Sequence, residues 1–297
     1  MSLRARATTE VLVRLANRPG QTITVDGLRS LLGPPTTKDD AVKGVTVSPT
    51  RLGGMAAERY ELTRGTAGEL LAFHGGGYIA GTARHFRSLF AALARTLGLA
   101  GTSVDYRLAP EHAFPAPIED GIAAYRELLE RGMPSESIVL AGESAGGGVA
   151  LSTALAARDA GLPMPRALIL YWPFADCSLS GPSLVSNAGR DFLTRALVEL
   201  SAASFLAGHD ARDPLASPVF ADVEGLPPVH LQVGDRDLLL SDSERLAQRF
   251  EAAGVPVQLH VARNAVHGFA SAGDALPEGR RSLAVVQRWW QDLASAG

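Results

Sequence analysis

The stretch VLAGESAGGGVAL, Val139 to Leu151, joins an apolar run to a helix-like run through Gly142-Glu143-Ser144-Ala145-Gly146. The spacing is G-x-S-x-G, and its context predicts a strand, a sharp turn and a helix in that order. Glycines on either side of the serine allow the strand and the helix to approach closely. A serine at such a turn stands clear of the sheet. The helix behind it aims N–H groups and the positive end of its dipole at the hydroxyl. Five residues of this kind also occur in plain turns, so the weight rests on the strand–turn–helix context.

Outward from this turn the chain alternates. GELLAFHG (68–75), GTSVDY (101–106), ESIVLAGES (136–144), RALILYW (166–172), PPVHLQVGD (227–235) and VPVQLHVA (255–262) are near-continuously apolar, as strands buried on both faces must be. Between and after them, residues 84–98, 116–132, 145–161, 241–254 and 279–295 carry helical spacing. This alternation predicts an α/β fold, a mostly parallel sheet with helices on both faces. Residues 1–40 read as helix, loop and helix, and residues 173–226 as a loop-rich excursion with one good helix. Excursions of that length between core strands are usually functional. No stretch reads as a linker, so residues 1–297 are expected to form one domain.

A serine hydroxyl attacks an acyl carbon only when a base takes its proton, so a histidine is required. The chain has 7. His267, in RNAVHGFA after the last apolar run, fits the chain order of nucleophile, acid and base found in sheets of this kind. A carboxylate must then fix the tautomer of the base and stabilise its charged form. The run before it ends in LQVGDRDLLLSDSERLA, where Asp237 is the candidate acid and Asp235 the alternative. Asp242, flanked by serines, reads instead as a helix N-terminal residue. Attack leaves negative charge on the carbonyl oxygen, which pre-aimed backbone N–H groups stabilise. Ala145 follows the nucleophile, and His74-Gly75-Gly76-Gly77 closes another apolar run. Glycines there let the main chain come close enough to reach the oxyanion.

Composition narrows the remaining classes. The chain of 297 residues is 46% hydrophobic and 20% charged, with 28 basic and 31 acidic residues and a net charge of −3. A nucleic-acid surface would be basic and clustered. Cys177 is the single cysteine, so no intramolecular disulfide and no cysteine-built metal site can form. The histidines show no zinc spacing, and the glycine loops lack the Lys-Ser/Thr of a phosphate loop. Neither metal nor cofactor is expected. No apolar run has the length of a signal core or a membrane span, which predicts a cytoplasmic protein without stable membrane insertion.

HGGGYIAG, DYRLAPEHAFPAPIED, GESAGGG, LPPVHLQVGDRDLLLSDS and HGF, in this order over residues 68–270, resemble the hormone-sensitive-lipase-like family of bacterial esterases. The resemblance implies an α/β-hydrolase fold with a small helical cap, here residues of about 1–40 and about 178–210. It implies a triad of Ser144, Asp237 and His267. Gly76, Gly77 and Ala145 would supply the oxyanion N–H groups, with Gly75 shaping the loop. His74, Asp105 and Glu111 are expected to brace that loop. Many members carry Asp-Pro-Leu around the acid where this chain has GDRDLLLSD. That departure keeps Asp235 open, although a branch with similar LL-x-DS text favours Asp237. Phe192, Leu193, Leu197 and Phe205 could line an acyl pocket, but their helical spacing also suits ordinary core. The resemblance implies a carboxylesterase for short-chain esters and a possible homodimer, pairing through VPVQLHVA if that run is a sheet edge. Amidase, formamidase or deacetylase chemistry on the same triad is the alternative. A catalytically silent ligand-binding homologue is the other.

Overall fold

The computed structural model describes residues 10, 11, 13–18, 20, 23–33, 42–63 and 66–295. Among these residues the backbone forms one sheet from β1 (Val45–Leu52), β2 (Met55–Leu62), β3 (Glu69–Phe73), β4 (Ala100–Val104), β5 (Ile138–Glu143), β6 (Ala167–Tyr171), β7 (Val229–Gly234) and β8 (Val257–Ala262). The spatial order is β1-β2-β4-β3-β5-β6-β7-β8. The six strands from β3 onward are parallel; β1 and β2 join antiparallel at one edge.

The apolar runs have a simple cause. Leu71, Phe73, Leu140, Leu168 and Leu170 point into one core, and Leu70, Ala72, Val139, Ala141 and Ile169 into the other. The first core is closed by Tyr125 and Leu128 of α3 (Ala116–Glu130), Val149 of α4 (Ala145–Asp159) and Phe250 of α7 (Leu240–Ala252). The second is closed by Phe90 and Leu93 of α2 (Arg87–Leu97) and Val286 and Trp289 of α8 (Pro277–Ser295). Both faces of β3 to β7 are buried, which favours apolar residues; polar ones such as Thr102 and Gln232 bond inside the protein, to Glu69 and Ser282.

The β1–β2 hairpin lies outside the apolar runs that announced the other strands. VTVSPTRL is half polar because β1 is an edge strand whose residues stay mostly accessible. The signal was the turn: Gly53 and Gly54 take φ of +60° and +78°, the two positive values that a type I′ hairpin needs. Residues outside the regular alternation supply α1 (Val25–Leu32), the short α5 (Ser183–Ser186) and α6 (Arg195–Leu206). Of the expected cap, residues 1–9, 12, 19, 21, 22 and 34–40 lie outside the described residues. Among the described residues, no helix is long and apolar enough to cross a membrane.

Candidate active site

Parallel strands put all their C-terminal ends on one edge of the sheet, so loops far apart in sequence converge there. His74 follows β3, Ser144 follows β5, Asp237 follows β7 and His267 follows β8.

Ser144 sits at the junction of β5 and α4 with φ 53° and ψ −123°, a conformation that costs a non-glycine residue energy and persists only where its surroundings enforce it. The surroundings are tight. A Cβ on Gly142 would lie 2.0 Å from the Gly146 carbonyl oxygen, and one on Gly146 would lie 2.0 Å from that of Phe73. Only glycine fits at both positions. The Ser144 N–H donates to Tyr171 O at 2.9 Å, which ties the turn to the neighbouring strand.

His267 Nε2 lies 2.9 Å from Ser144 Oγ. Its Nδ1 lies 3.1 and 3.0 Å from the two carboxylate oxygens of Asp237. With Nδ1–H donating to the carboxylate, Nε2 is left free to accept the serine proton. Asp237 is fully buried, and its Oδ1 also accepts the Leu239 N–H at 2.8 Å. Asp235 points elsewhere and accepts the Ala265 N–H at 3.2 Å. Burial pulls the imidazole pKa down, but the charges of Asp237, Asp191 and Glu143 outweigh it and hold the ring at about 9.

The glycine loop lies against this line. Gly76 and Gly77 take φ of +114° and +65° and line the same cavity as Ser144 and His267. Among the described residues their N–H groups donate to no protein acceptor. A Cβ on Gly76 would lie 2.1 Å from the Ala80 carbonyl oxygen. Beneath the loop, His74 is fully buried; its Nδ1–H donates to Gly75 O at 2.8 Å, and burial pulls its pKa down to about 4. Its ring stacks on Tyr106 at 4.4 Å, and the Tyr106 hydroxyl donates to His74 O at 2.7 Å. Asp105 accepts the Ala83 N–H at 2.6 Å, just past the loop.

Glu111 differs from the expectation of a direct brace. Its side chain is about half exposed and grips Arg29 of α1 through two bonds of 2.7 Å. Arg29 then donates to Ile79 O at 2.8 Å and Ala109 O at 3.1 Å. The contact with the loop therefore runs through a residue of the N-terminal segment, whose placement spacing alone does not give.

The cavity holds about 260 Å³ and is walled by Leu28 and Leu32 of α1, Leu197 and Val198 of α6, Phe192 and Leu193. Phe205 is not part of it; it stacks on Tyr78 at 4.0 Å in the core. Two residues of the site carried no assigned role in the sequence: Glu143 is the variable position of G-x-S-x-G, and Asp191 lies in no motif. Glu143 is buried and accepts the Trp172 indole N–H at 2.6 Å beside Gly75. Asp191 is buried behind the Asp237–His267 pair.

Residues 70–271 match the family model of the alpha/beta hydrolase fold. The chain belongs to this α/β-hydrolase family. Within the family it is 40% identical over 247 residues to an acetyl-hydrolase of Streptomyces hygroscopicus, covering 83% of each chain. The crystal structure of EstE5 soaked with p-nitrophenyl butyrate superposes with a TM-score of 0.91 at 34% identity, over 99% of each chain. A hormone-sensitive lipase from a metagenome library superposes with a TM-score of 0.89 at 35% identity, over 97% of this chain and 98% of that one. The match to the hormone-sensitive-lipase-like branch of the α/β-hydrolases thus extends through both flanks of the motif blocks.

Proposed function

We propose that this chain is a serine carboxylesterase that cleaves esters of small acyl groups through a covalent acyl-enzyme. Ser144 Oγ attacks the ester carbonyl while His267 Nε2 takes its proton. Asp237 holds the imidazole in the productive tautomer and offsets its charge. The N–H groups of Gly76, Gly77 and Ala145 receive the oxyanion. The tetrahedral intermediate collapses, the proton on His267 passes to the departing alkoxide, and an alcohol leaves. Water then enters, gives a proton to His267 and attacks the acyl carbon, and the acid departs as Ser144 regains its proton. The 2.9 Å contact between Ser144 Oγ and His267 Nε2, at a cavity edged by free glycine N–H groups, carries this reading.

Acyl size follows from the walls. A cavity of about 260 Å³ is smaller than the roughly 300–1,000 Å³ of pockets for drug-sized ligands. The apolar lining from α1 and α6 acts as a small helical cap over the site, and the chain works as one catalytic unit. A second copy can pair along β8, the last strand of the sheet among the described residues, where Val261 is 40% exposed. We assign the enzyme to the cytoplasm. An active-site-directed fluorophosphonate tests the chemistry: mass spectrometry finds one adduct, on the peptide holding Ser144. Labelling at another residue would overturn the assignment.

A further inference from the structure

We infer that Asp191 is a positioning residue for the proton-transfer pair, a second buried carboxylate that fixes the backbones of the acid and base loops together and supports positive charge on the His267 ring. This rests on the esterase reading above, in which His267 is the base.

The geometry is specific. Asp191 is completely buried. Its Oδ2 accepts the Leu238 N–H at 2.9 Å, the residue after the triad acid. Both of its oxygens lie 3.3 Å from the backbone N–H of His267. One carboxylate thus adds a bridge between the loops after β7 and β8 at the triad itself, beyond the Arg236 N–H to Ala265 O bond of 2.9 Å and the Ala265 N–H to Asp235 bond of 3.2 Å further back. A carboxylate oxygen of Asp191, one of Asp237 and a ring nitrogen of His267 lie within 4.8 Å of one another. Two acids therefore face one imidazole.

The segment that delivers Asp191 is anchored at both ends. Asn187 Nδ2 donates to Asp237 O at 2.8 Å and Asp235 O at 3.2 Å. Asn17 Nδ2, from the N-terminal segment, donates to Asp191 O at 2.9 Å. These amide bonds hold main chain and carry no charge, whereas Asp191 adds charge at the base itself. The titratable groups facing Asp191 are Asp237, which raises its proton affinity as burial does, and His267, which lowers it. Those facing His267 are Asp237, Asp191 and Glu143. Burial and the Asp237 charge raise the Asp191 pKa to about 7, against the backbone N–H bonds that pull it down. That is still below the value of about 9 for the His267 ring, so Asp191 is ionised where the ring titrates.

The sign of the effect follows. Removing a negative charge beside an imidazolium lowers the pKa of the ring. In Asp191→Asn the acidic limb of kcat/KM moves to lower pH, by about half a unit or more on a profile run from about pH 5 to 10. On the plateau kcat falls about tenfold or more while KM changes less than about threefold, because the lost support acts on charge formed in the transition state. An unmoved limb would overturn the inference, whatever happens to kcat. Asp191→Ser, which leaves room for water to bridge the same N–H groups, is the second arm and should move the limb the same way. If neither variant folds by circular dichroism and melting, Asp191 is a structural residue and the inference falls. If native protein has no activity that Ser144→Ala removes, the esterase reading has failed, not this inference alone.

Discussion

The carboxylate of Glu143 occupies the space beside Gly75 where a side chain would stand: Oε1 lies 1.6 Å from the position of a Cβ on that glycine. The residue before the nucleophile is thereby wedged against the residue that starts the oxyanion loop. Gly75→Ala must push one of the two away, and Glu143 is also held by the Trp172 indole. We expect the loop to yield and kcat to drop by about 10²–10³-fold, the size of losing an oxyanion donor. KM for a small ester should change little. A Gly75→Ala enzyme with native kcat would show that the loop is not stabilising charge.

The acid can be tested against its neighbour. Asp237→Asn leaves an oxygen for the Leu239 N–H but offers an NH2 donor to His267 Nδ1, which favours the wrong tautomer and should cost about 10⁴-fold in kcat. Asp235→Asn keeps an oxygen for the Ala265 N–H and should leave kcat within about threefold of native. The reverse ranking would move the acid to Asp235.

The pH dependence has a definite sign. His267 acts as a base only when neutral, and its neighbouring carboxylates hold its pKa up at about 9. Activity should therefore rise with pH through a limb placed above the ordinary imidazole value of about 6.5. A kcat/KM profile already flat from about pH 6.5 upward would contradict this electrostatic picture.

The strands were legible where physics left one option. Burial on both faces wrote β3 and β5 to β7 mostly in apolar residues, and the strained turn at Ser144 demanded glycines that the sequence displays. The β1–β2 hairpin was obscured because an edge strand tolerates polar residues, although its Gly-Gly turn was on view. Asp191 left no trace. Its role depends on where an irregular segment carries it, and no spacing rule relates it to β7 or β8. Arg29 was hidden for the same reason, and Glu111, which was visible, made sense only once Arg29 was beside it.

That contact separates an ion pair from the bonds around it. Both side chains of the Arg29–Glu111 pair are partly exposed, so water and salt screen the pair and its own net contribution is small. Arg29 also satisfies the carbonyls of Ile79 and Ala109, and leaving buried acceptors unpaired costs about 1–3 kcal/mol. Arg29→Ala should therefore lower the melting temperature and impair turnover more than Glu111→Gln does. Equal effects would show that the ion pair, not the carbonyl contacts, holds α1 on the site.

The most direct test of the esterase account is hydrolysis of p-nitrophenyl acetate, butyrate, octanoate and palmitate by the native protein and by Ser144→Ala. The account predicts cleavage of acetate and butyrate, decline at octanoate, no turnover of palmitate, and a loss of about three orders of magnitude or more on removing the hydroxyl. Equal activity of Ser144→Ala, or no cleavage of any ester by the native protein, would contradict it.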